Sequence, residues 1–295
     1  MCKEIFMVEL ISQGQTTCAG CGMIIAVRLV SKACPKNVIV SCATSCLEVT
    51  TSAYPLTAWN VPWIHTAFET ASSTASGIEA AIKKLRKNWK VLAIAGDGGT
   101  FDIGFQALSG MLERGHKVTQ VCVDNEAYMN TGIQRSGATP FGAWTTTSPP
   151  GKKSFGKTEV KKPILEIVAA HKIPYAASAS IAYPQDLIQK VKKAFEKQPS
   201  FIHIHCPCPP GWKFPESDTI SVAKLAVETG MWILYEIEDG KFKINIKPKR
   251  KPVKDYLQVQ GRFKHLGDKE IQKIQAHVDS EWERLERLEK CGRIF

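Results

Sequence analysis

The chain has 295 residues, 44% hydrophobic, 8% aromatic and 23% charged, which excludes disorder, collagen and coiled coil as overall descriptions and suffices for one large domain or two small ones. Its 39 Lys and Arg against 28 Asp and Glu leave +11, a surplus compatible with nucleic acid, an acidic protein partner or a solvated surface. The basic residues crowd into 241–254, where Pro248 and Pro252 are expected to interrupt any regular element, and no aromatic-interleaved motif accompanies them, so no nucleic-acid partner is expected. The longest uncharged stretch, 49–68, carries Pro55, Asn60, Pro62 and His65, so no membrane span is expected either. Met1-Cys2-Lys3-Glu4-Ile5 opens no apolar leader, and a cytoplasmic protein is expected.

In chain order, Val38 to Cys42 reads as a buried strand and 66–85 as a helix with small faces. Val91 to Ala95 is a second strand, uniformly apolar as parallel strands covered on both faces are. A helix over 103–114 stops at Gly115, and 118–123 is a third strand. Beyond a long Gly-, Thr-, Ser-, Pro- and Lys-rich loop, 131–162, follow a helix (164–171), a strand (175–179), a helix (184–197) and a strand (201–205). This rhythm predicts an α/β fold with a doubly wound, mostly parallel sheet in a first domain over 1–235. Residues 236–295 read as a basic, Pro-punctuated extension that wraps a partner subunit or else finishes the core, and that closes in an amphipathic helix over 269–288.

The strand ending at Ala95 runs straight into Gly96-Asp97-Gly98-Gly99-Thr100 and a helix. Such a turn brings backbone N–H groups to a phosphate at a helix start, outside the carboxyl end of a strand. An acid inside it needs an intervening cation, and Mg²⁺ held by protein and phosphate oxygens fits. Asp124-Asn125 ends the next strand, and an Asn that far beyond the Asp matches the thiamine diphosphate motif.

The ten cysteines are Cys2, Cys18, Cys21, Cys34, Cys42, Cys46, Cys122, Cys206, Cys208 and Cys291. In a reducing compartment, clustered thiols ligate metal or do chemistry. Cys18-Ala19-Gly20-Cys21-Gly22 is a knuckle that leaves a 4Fe-4S cluster, zinc or a redox pair open.

With Tyr54-Pro55-Leu56-Thr57-Ala58-Trp59, Val61-Pro62-Trp63-Ile64-His65, Asp124-Asn125-Glu126-Ala127-Tyr128-Met129-Asn130-Thr131-Gly132, Gln134-Arg135-Ser136-Gly137, Cys208-Pro209-Pro210-Gly211-Trp212 and Gln260-Gly261-Arg262-Phe263, the chain resembles the β subunits of the 2-oxoacid:ferredoxin oxidoreductases, closest to the pyruvate branch. The resemblance covers nearly the whole chain. It implies a 4Fe-4S cluster on Cys18, Cys21, Cys46 and Cys208, with Cys42 and Cys206 as competitors. It implies Mg²⁺ on Asp97, Asn125 and the Ala127 carbonyl, and a thiamine diphosphate site that also includes Gly22, Cys46, Gly96, Gly98 and Asn130. Asn130 would reach the substrate end as the catalytic residue. Met23 stands where many relatives carry an acid.

The implied activity is oxidative decarboxylation of pyruvate to acetyl-CoA and CO₂, with electrons leaving through the cluster to ferredoxin. The alternatives are 2-oxoisovalerate, 2-oxoglutarate or oxalate as substrate, an electron-carrier subunit with a vestigial thiamine site, or a thiamine decarboxylase without redox function. Thiamine enzymes build their site between two α/β domains, and only the diphosphate half is visible here. The implied partners are therefore a pyrimidine-half α-type subunit carrying the activating Glu, a ferredoxin-like δ-type subunit and a γ-type subunit, besides ferredoxin, coenzyme A and the 2-oxoacid. The competing source of that carboxylate is Glu236, Glu238 or Asp239. His65, His203 and His205 read as structural, Trp59 and Trp63 as core or interface, and Cys34, Cys122 and Cys291 as unliganded. Arg135 reads equally as an anion contact or a surface residue.

Overall fold

Six parallel strands carry the sheet: β1 (Val38–Ala43), β2 (Trp63–Thr66), β3 (Lys90–Gly96), β4 (Val118–Asp124), β5 (Tyr175–Ser180) and β6 (Ser200–His205). Two antiparallel strands, β7 (Tyr235–Glu238) and β8 (Lys241–Ile244), extend it, giving the order β2-β1-β3-β4-β6-β5-β7-β8. The computed structural model of the chain describes residues 9–152 and 154–294; the N-terminal reading on Met1 to Ile5, and Cys2, lies outside them.

The helices are α1 (Gly22–Ser31), α2 (Cys46–Thr51), α3 (Ala71–Lys84), α4 (Phe105–Glu113), α5 (Ile164–Ala169), α6 (Pro184–Glu196), α7 (Pro209–Trp212), α8 (Thr219–Glu228), α9 (Val253–Gln258) and α10 (Asp268–Cys291). Alternate residues of β3 face opposite layers. Leu92 and Ile94 join α1 and α6 in one core, while Val91 and Ala93 join α3, α4 and α5 in another. Burial on both faces is why the strand shows no polar alternation. Cys122 is one of the small apolar residues of the second core.

Two expectations need correction. The helix expected over 66–85 begins at Ala71, because Thr66 closes β2 by pairing with Ala43 and donating its hydroxyl to the Cys42 carbonyl at 3.2 Å. β2 escaped notice because it is four residues long at the sheet edge and leaves Ile64 and His65 exposed, so no apolar run marks it. The prolines expected to interrupt all regular structure over 241–254 do not. β8 precedes them with Phe242 and Ile244 inward, and Pro252 immediately precedes α9, where its fixed φ suits a helix start.

The 236–295 segment shares the sheet through β7 and β8 and packs back through α10, whose Ile274, Val278, Trp282 and Leu285 form one buried stripe. Together with α8, α9, Trp212 and Trp232 they make a third core. Several of its basic residues are paired, among them Lys247 with Glu289 at 2.5 Å, Arg250 with Asp279 at 2.6 Å and Lys251 with Glu228 at 2.9 Å. Among the described residues, no helix is long and apolar enough to cross a membrane.

Candidate functional site at the carboxyl edge of the sheet

The chain places β2 on one side of β1 and β3 on the other, so the order reverses between β1 and β3. In open α/β sheets a crevice opens outside the carboxyl ends of the strands at such a point. Four neighbouring strands deliver the sequence-predicted residues there: Cys46 lies just beyond β1, Asp97 beyond β3, Asn125 beyond β4 and Cys208 beyond β6.

Asp97 is 1% exposed, and its Oδ2 accepts the Ser136 hydroxyl at 2.6 Å. One of the two terminal polar atoms of the Asn125 amide lies 3.0 Å from the Ala127 carbonyl oxygen and 3.1 Å from Asp97 Oδ1. Nitrogen there donates to both; with the amide turned over, its oxygen completes three oxygens around one point, the donor set of a hard divalent cation. Burial, and then the neighbouring Asp124 charge, push the Asp97 carboxyl well above the usual range, with Ser136 and Lys161 offsetting part of this. The residues present thus fit Mg²⁺. Gly96 ends β3, its carbonyl accepting the Thr100 hydroxyl at 2.8 Å, and Gly99–Ile103 forms a π-helical turn leading into α4. A Cβ on Gly98 would fall on the Tyr128 ring, whose hydroxyl donates to Asp102 at 2.9 Å. Asn130 is exposed at the tip of the turn closed by the Tyr128–Gln134 bridge.

The four predicted cysteines also come together. The Thr16 amide donates to the Thr50 carbonyl at 2.9 Å, tying the knuckle to α2. The Gly22 amide donates to the Pro207 carbonyl at 3.2 Å and the Thr219 hydroxyl to the Gly20 carbonyl at 2.6 Å, tying it to the segment beyond β6. A Cβ on Gly22 would meet the Pro207 oxygen at 2.5 Å, so only glycine allows this approach. Cys21 stands at the N-cap of α1, where the nearby Met23 and Ile24 amides favour a thiolate. Burial raises the Cys21 thiol, and burial and then the other thiols raise Cys46 to about 12. Cys208 also rises to about 12, from burial above all, with Cys21, Cys46 and Cys18 adding to it and the Gly211 amide opposing. Thiols raised in this way keep their protons at neutral pH unless a bound metal displaces them.

Among the described residues, no three His, Cys, Asp or Glu side chains converge as ligands of a single ion. Cys18, Cys21, Cys46 and Cys208 are nonetheless electrostatic neighbours. Cys42 is buried in the core against its own strand, and the Cys206 thiol donates to the Ile204 carbonyl at 3.3 Å. Met23 is 3% exposed in the core.

The site holds a second layer that sequence reasoning missed. Lys161 Nζ lies 2.6 Å from Asp124 Oδ2 and 2.9 Å from Glu126 Oε1, Arg262 donates to Glu126 Oε2 at 2.6 Å, and His203 Nε2 lies 2.6 Å from Asp124 Oδ2. Burial alone would raise the Asp124 carboxyl, but Lys161 and His203 hold it well below the usual range. The Trp212 indole donates to the Asn125 carbonyl at 2.8 Å, and Arg262 stacks on its ring at 3.6 Å. Arg262, Ser136 and Glu126 all fall in the quoted motifs, a signal that marked them without saying what they do. His205 is buried, which lowers its imidazole to about 3 and keeps it neutral. His65 is exposed and bonded to Thr44 at 2.6 Å, Trp59 stacks on Trp63 at 5.4 Å, and Arg135 pairs with Glu159 at the surface. Behind the turn, a cavity of about 430 Å³ opens between α5 and α10, with Lys161, Glu126 and His203 on its floor.

Residues 40–204 match the thiamine pyrophosphate enzyme C-terminal TPP binding domain, which defines the class of protein as a thiamine pyrophosphate enzyme. The chain is 55% identical to pyruvate synthase subunit PorB of Methanothermobacter thermautotrophicus over 92% of its own length and 96% of that subunit. It is 54% identical to PorB of Methanocaldococcus jannaschii (92% and 94% covered) and 49% identical to ketoisovalerate oxidoreductase subunit VorB of Pyrococcus abyssi (93% and 92%). The chain belongs to this PorB and VorB family. The fold is also that of a 2-oxoglutarate:ferredoxin oxidoreductase from Magnetococcus marinus, at TM-score 0.60 and 23% identity over 76% of this chain and 75% of that one.

Proposed function

We propose that the chain is the thiamine diphosphate- and cluster-bearing subunit of a cytoplasmic pyruvate:ferredoxin oxidoreductase, reversibly converting pyruvate and coenzyme A to acetyl-CoA and CO₂. The observation that carries the reading is adjacency: Asp97 and Asn125 lie beyond β3 and β4, and Cys46 and Cys208 beyond the flanking β1 and β6, with Cys46 an electrostatic neighbour of both Asp97 and Cys21. Thiamine diphosphate supplies the carbon nucleophile and the electron sink for loss of CO₂, and a neighbouring 4Fe-4S cluster takes electrons one at a time toward ferredoxin.

Asp97, Asn125 and the Ala127 carbonyl hold Mg²⁺ against the diphosphate, with Ser136 orienting Asp97. Gly98 lets the turn come close, and Asn130 stands at the substrate end. Cys18, Cys21, Cys46 and Cys208 hold the cluster. An α-type subunit completes the cofactor site, and δ- and γ-type subunits complete the complex.

Replacing Cys208 by Ala is expected to empty the cluster site, whereas Cys206→Ala retains its iron. Cys208 has Cys18, Cys21 and Cys46 as electrostatic neighbours, while the Cys206 thiol turns back to its own strand. Iron content of the two variants decides, and loss only in Cys206→Ala would reverse the assignment.

A second reading, 2-oxoisovalerate as substrate, is favoured by the VorB relative. The native complex assayed with a low-potential acceptor across a panel of 2-oxoacids is expected to prefer pyruvate by at least about tenfold in kcat/KM, a difference of one or two methylenes in a pocket. A preference for 2-oxoisovalerate would install the second reading.

A further inference from the structure

We propose that Lys161 is a positioning residue for the cation site, fixing the 124–127 turn so that Asn125 and Ala127 present their oxygens beside Asp97. The proposal rests on reading Asp97, Asn125 and Ala127 as the magnesium and diphosphate ligands.

The turn carries more negative charge than it can bury unaided. Asp97, Asp124 and Glu126 are 1%, 0% and 5% exposed. Asp124 and Glu126 flank Asn125 and are both bonded by Lys161, at 2.6 and 2.9 Å. Arg262 reaches only Glu126, and His203 only Asp124. Glu126 is held at φ 65°, a left-handed conformation that a residue with a Cβ adopts at a cost, and its amide donates to Asp124 Oδ1 at 2.8 Å.

The carbonyls on this turn are assigned one by one. That of Asn125 accepts the Trp212 indole, and that of Glu126 accepts the Thr139 hydroxyl at 2.7 Å. The Ala127 carbonyl lies against the Asn125 amide, whose same terminal atom also reaches Asp97 Oδ1. Besides the Glu126 amide's own bond to Asp124, Lys161 is thus the side chain that ties the two acidic flanks of the turn together. Without it, two buried carboxylates on either side of a metal ligand lose a shared counter-charge, and the turn relaxes by moving them apart.

The long 131–162 segment delivers this lysine. Lys157 Nζ donates to the Thr139 carbonyl at 2.5 Å, and Lys162 bonds Asp102 at 3.3 Å and the Phe101 carbonyl. Lys162 staples the segment to the turn after the Gly-rich loop and Lys157 ties the segment to itself, with Lys161 between them.

The test compares Lys161→Met, Lys161→Arg and the pair Lys161→Met with Asp124→Asn in the assembled complex. Mg²⁺ is titrated at fixed thiamine diphosphate, and iron content is measured beside it. Groups that orient metal ligands from behind are worth about 10–100-fold in metal affinity, so Lys161→Met is expected to weaken Mg²⁺ by that factor with iron unchanged. Arg keeps the charge and restores most of the affinity. The pair restores it as well, because removing the Asp124 charge removes the need for Lys161; a merely packing role gives additive losses instead. Wild-type Mg²⁺ affinity in Lys161→Met, or additive loss in the pair, overturns the proposal. Should Lys161→Met fail to assemble, the pair carries the comparison alone, with a tenfold loss counting against. Asp97→Asn in the same assay separates the two failures. If it leaves Mg²⁺ dependence intact, the reading of the site is wrong; if it abolishes binding while Lys161→Met changes nothing, only this inference falls.

Discussion

Asp97→Asn is expected to abolish Mg²⁺-dependent thiamine diphosphate binding while iron stays at its wild-type level. The carboxylate is the only anion among the three oxygens facing the cation position, since Asn125 contributes an amide and Ala127 a carbonyl. A hard divalent cation bridged to a diphosphate depends on that charge, and its loss is expected to cost at least about 100-fold, roughly 3 kcal/mol. The fold does not depend on it. Burial and the Asp124 charge disfavour the ionised form, so above the carboxyl's usual range the charge is a cost to the cofactor-free protein. An isosteric amide removes that cost and leaves an oxygen for Ser136. Thermal unfolding of the cofactor-free variant should therefore be no lower than wild type at neutral pH. Unchanged Mg²⁺-dependent affinity in a cofactor titration would mean that the Gly-Asp-Gly turn is only structural.

The chain alone, even with iron, sulfide, Mg²⁺ and thiamine diphosphate restored, is expected to turn over pyruvate at least about 100-fold more slowly than the complex, the least a positioned proton-transfer group is worth. The carboxylates that could replace a second subunit are engaged elsewhere. Glu236 accepts the Tyr175 hydroxyl at 2.7 Å and pairs with Lys193, Glu238 pairs with Lys193 and Lys197, and Asp239 pairs with Lys197 at 2.6 Å. They lie on or just after β7, separated from β3 by β4, β6 and β5. The surface beside α2 suits a covering polypeptide. Tyr54 and Leu56 are 98% and 75% exposed, and Ile64 on the edge strand is 44% exposed. Pyruvate-dependent reduction of an artificial acceptor by the reconstituted chain, at a rate comparable to the complex, would show the active site to be self-contained.

The parallel core was legible because β1, β3, β4, β5 and β6 are short apolar runs broken by amphipathic segments, and burial on both faces writes that pattern directly. β2, β7 and β8 were not, because strands of four residues at or next to the sheet edges bury half or less of their side chains and take their pairing from neighbours. The same contrast runs through the site. Gly-Asp-Gly, the distant Asn and the Cys knuckle are local patterns. Lys161, brought to Asp124 by a long loop, and Arg262, brought to Glu126 across the third core, are long-range contacts without a spacing to read.

Cys18 and Cys21 leave the ribosome long before Cys208. A group held by all of them cannot be inserted until β6 has paired with β4 and carried residues 206–208 to the knuckle. The proposed cluster, if these cysteines hold it, would act as a clasp around a loop containing most of the sheet, and such a closure draws on denatured-state entropy that grows with the logarithm of loop length. The strands themselves pair through backbone hydrogen bonds and do not need the clasp. Oxidative loss of iron would therefore loosen residues 9–21 and 206–219 first. A protease would find those segments while β1 to β6 still stood.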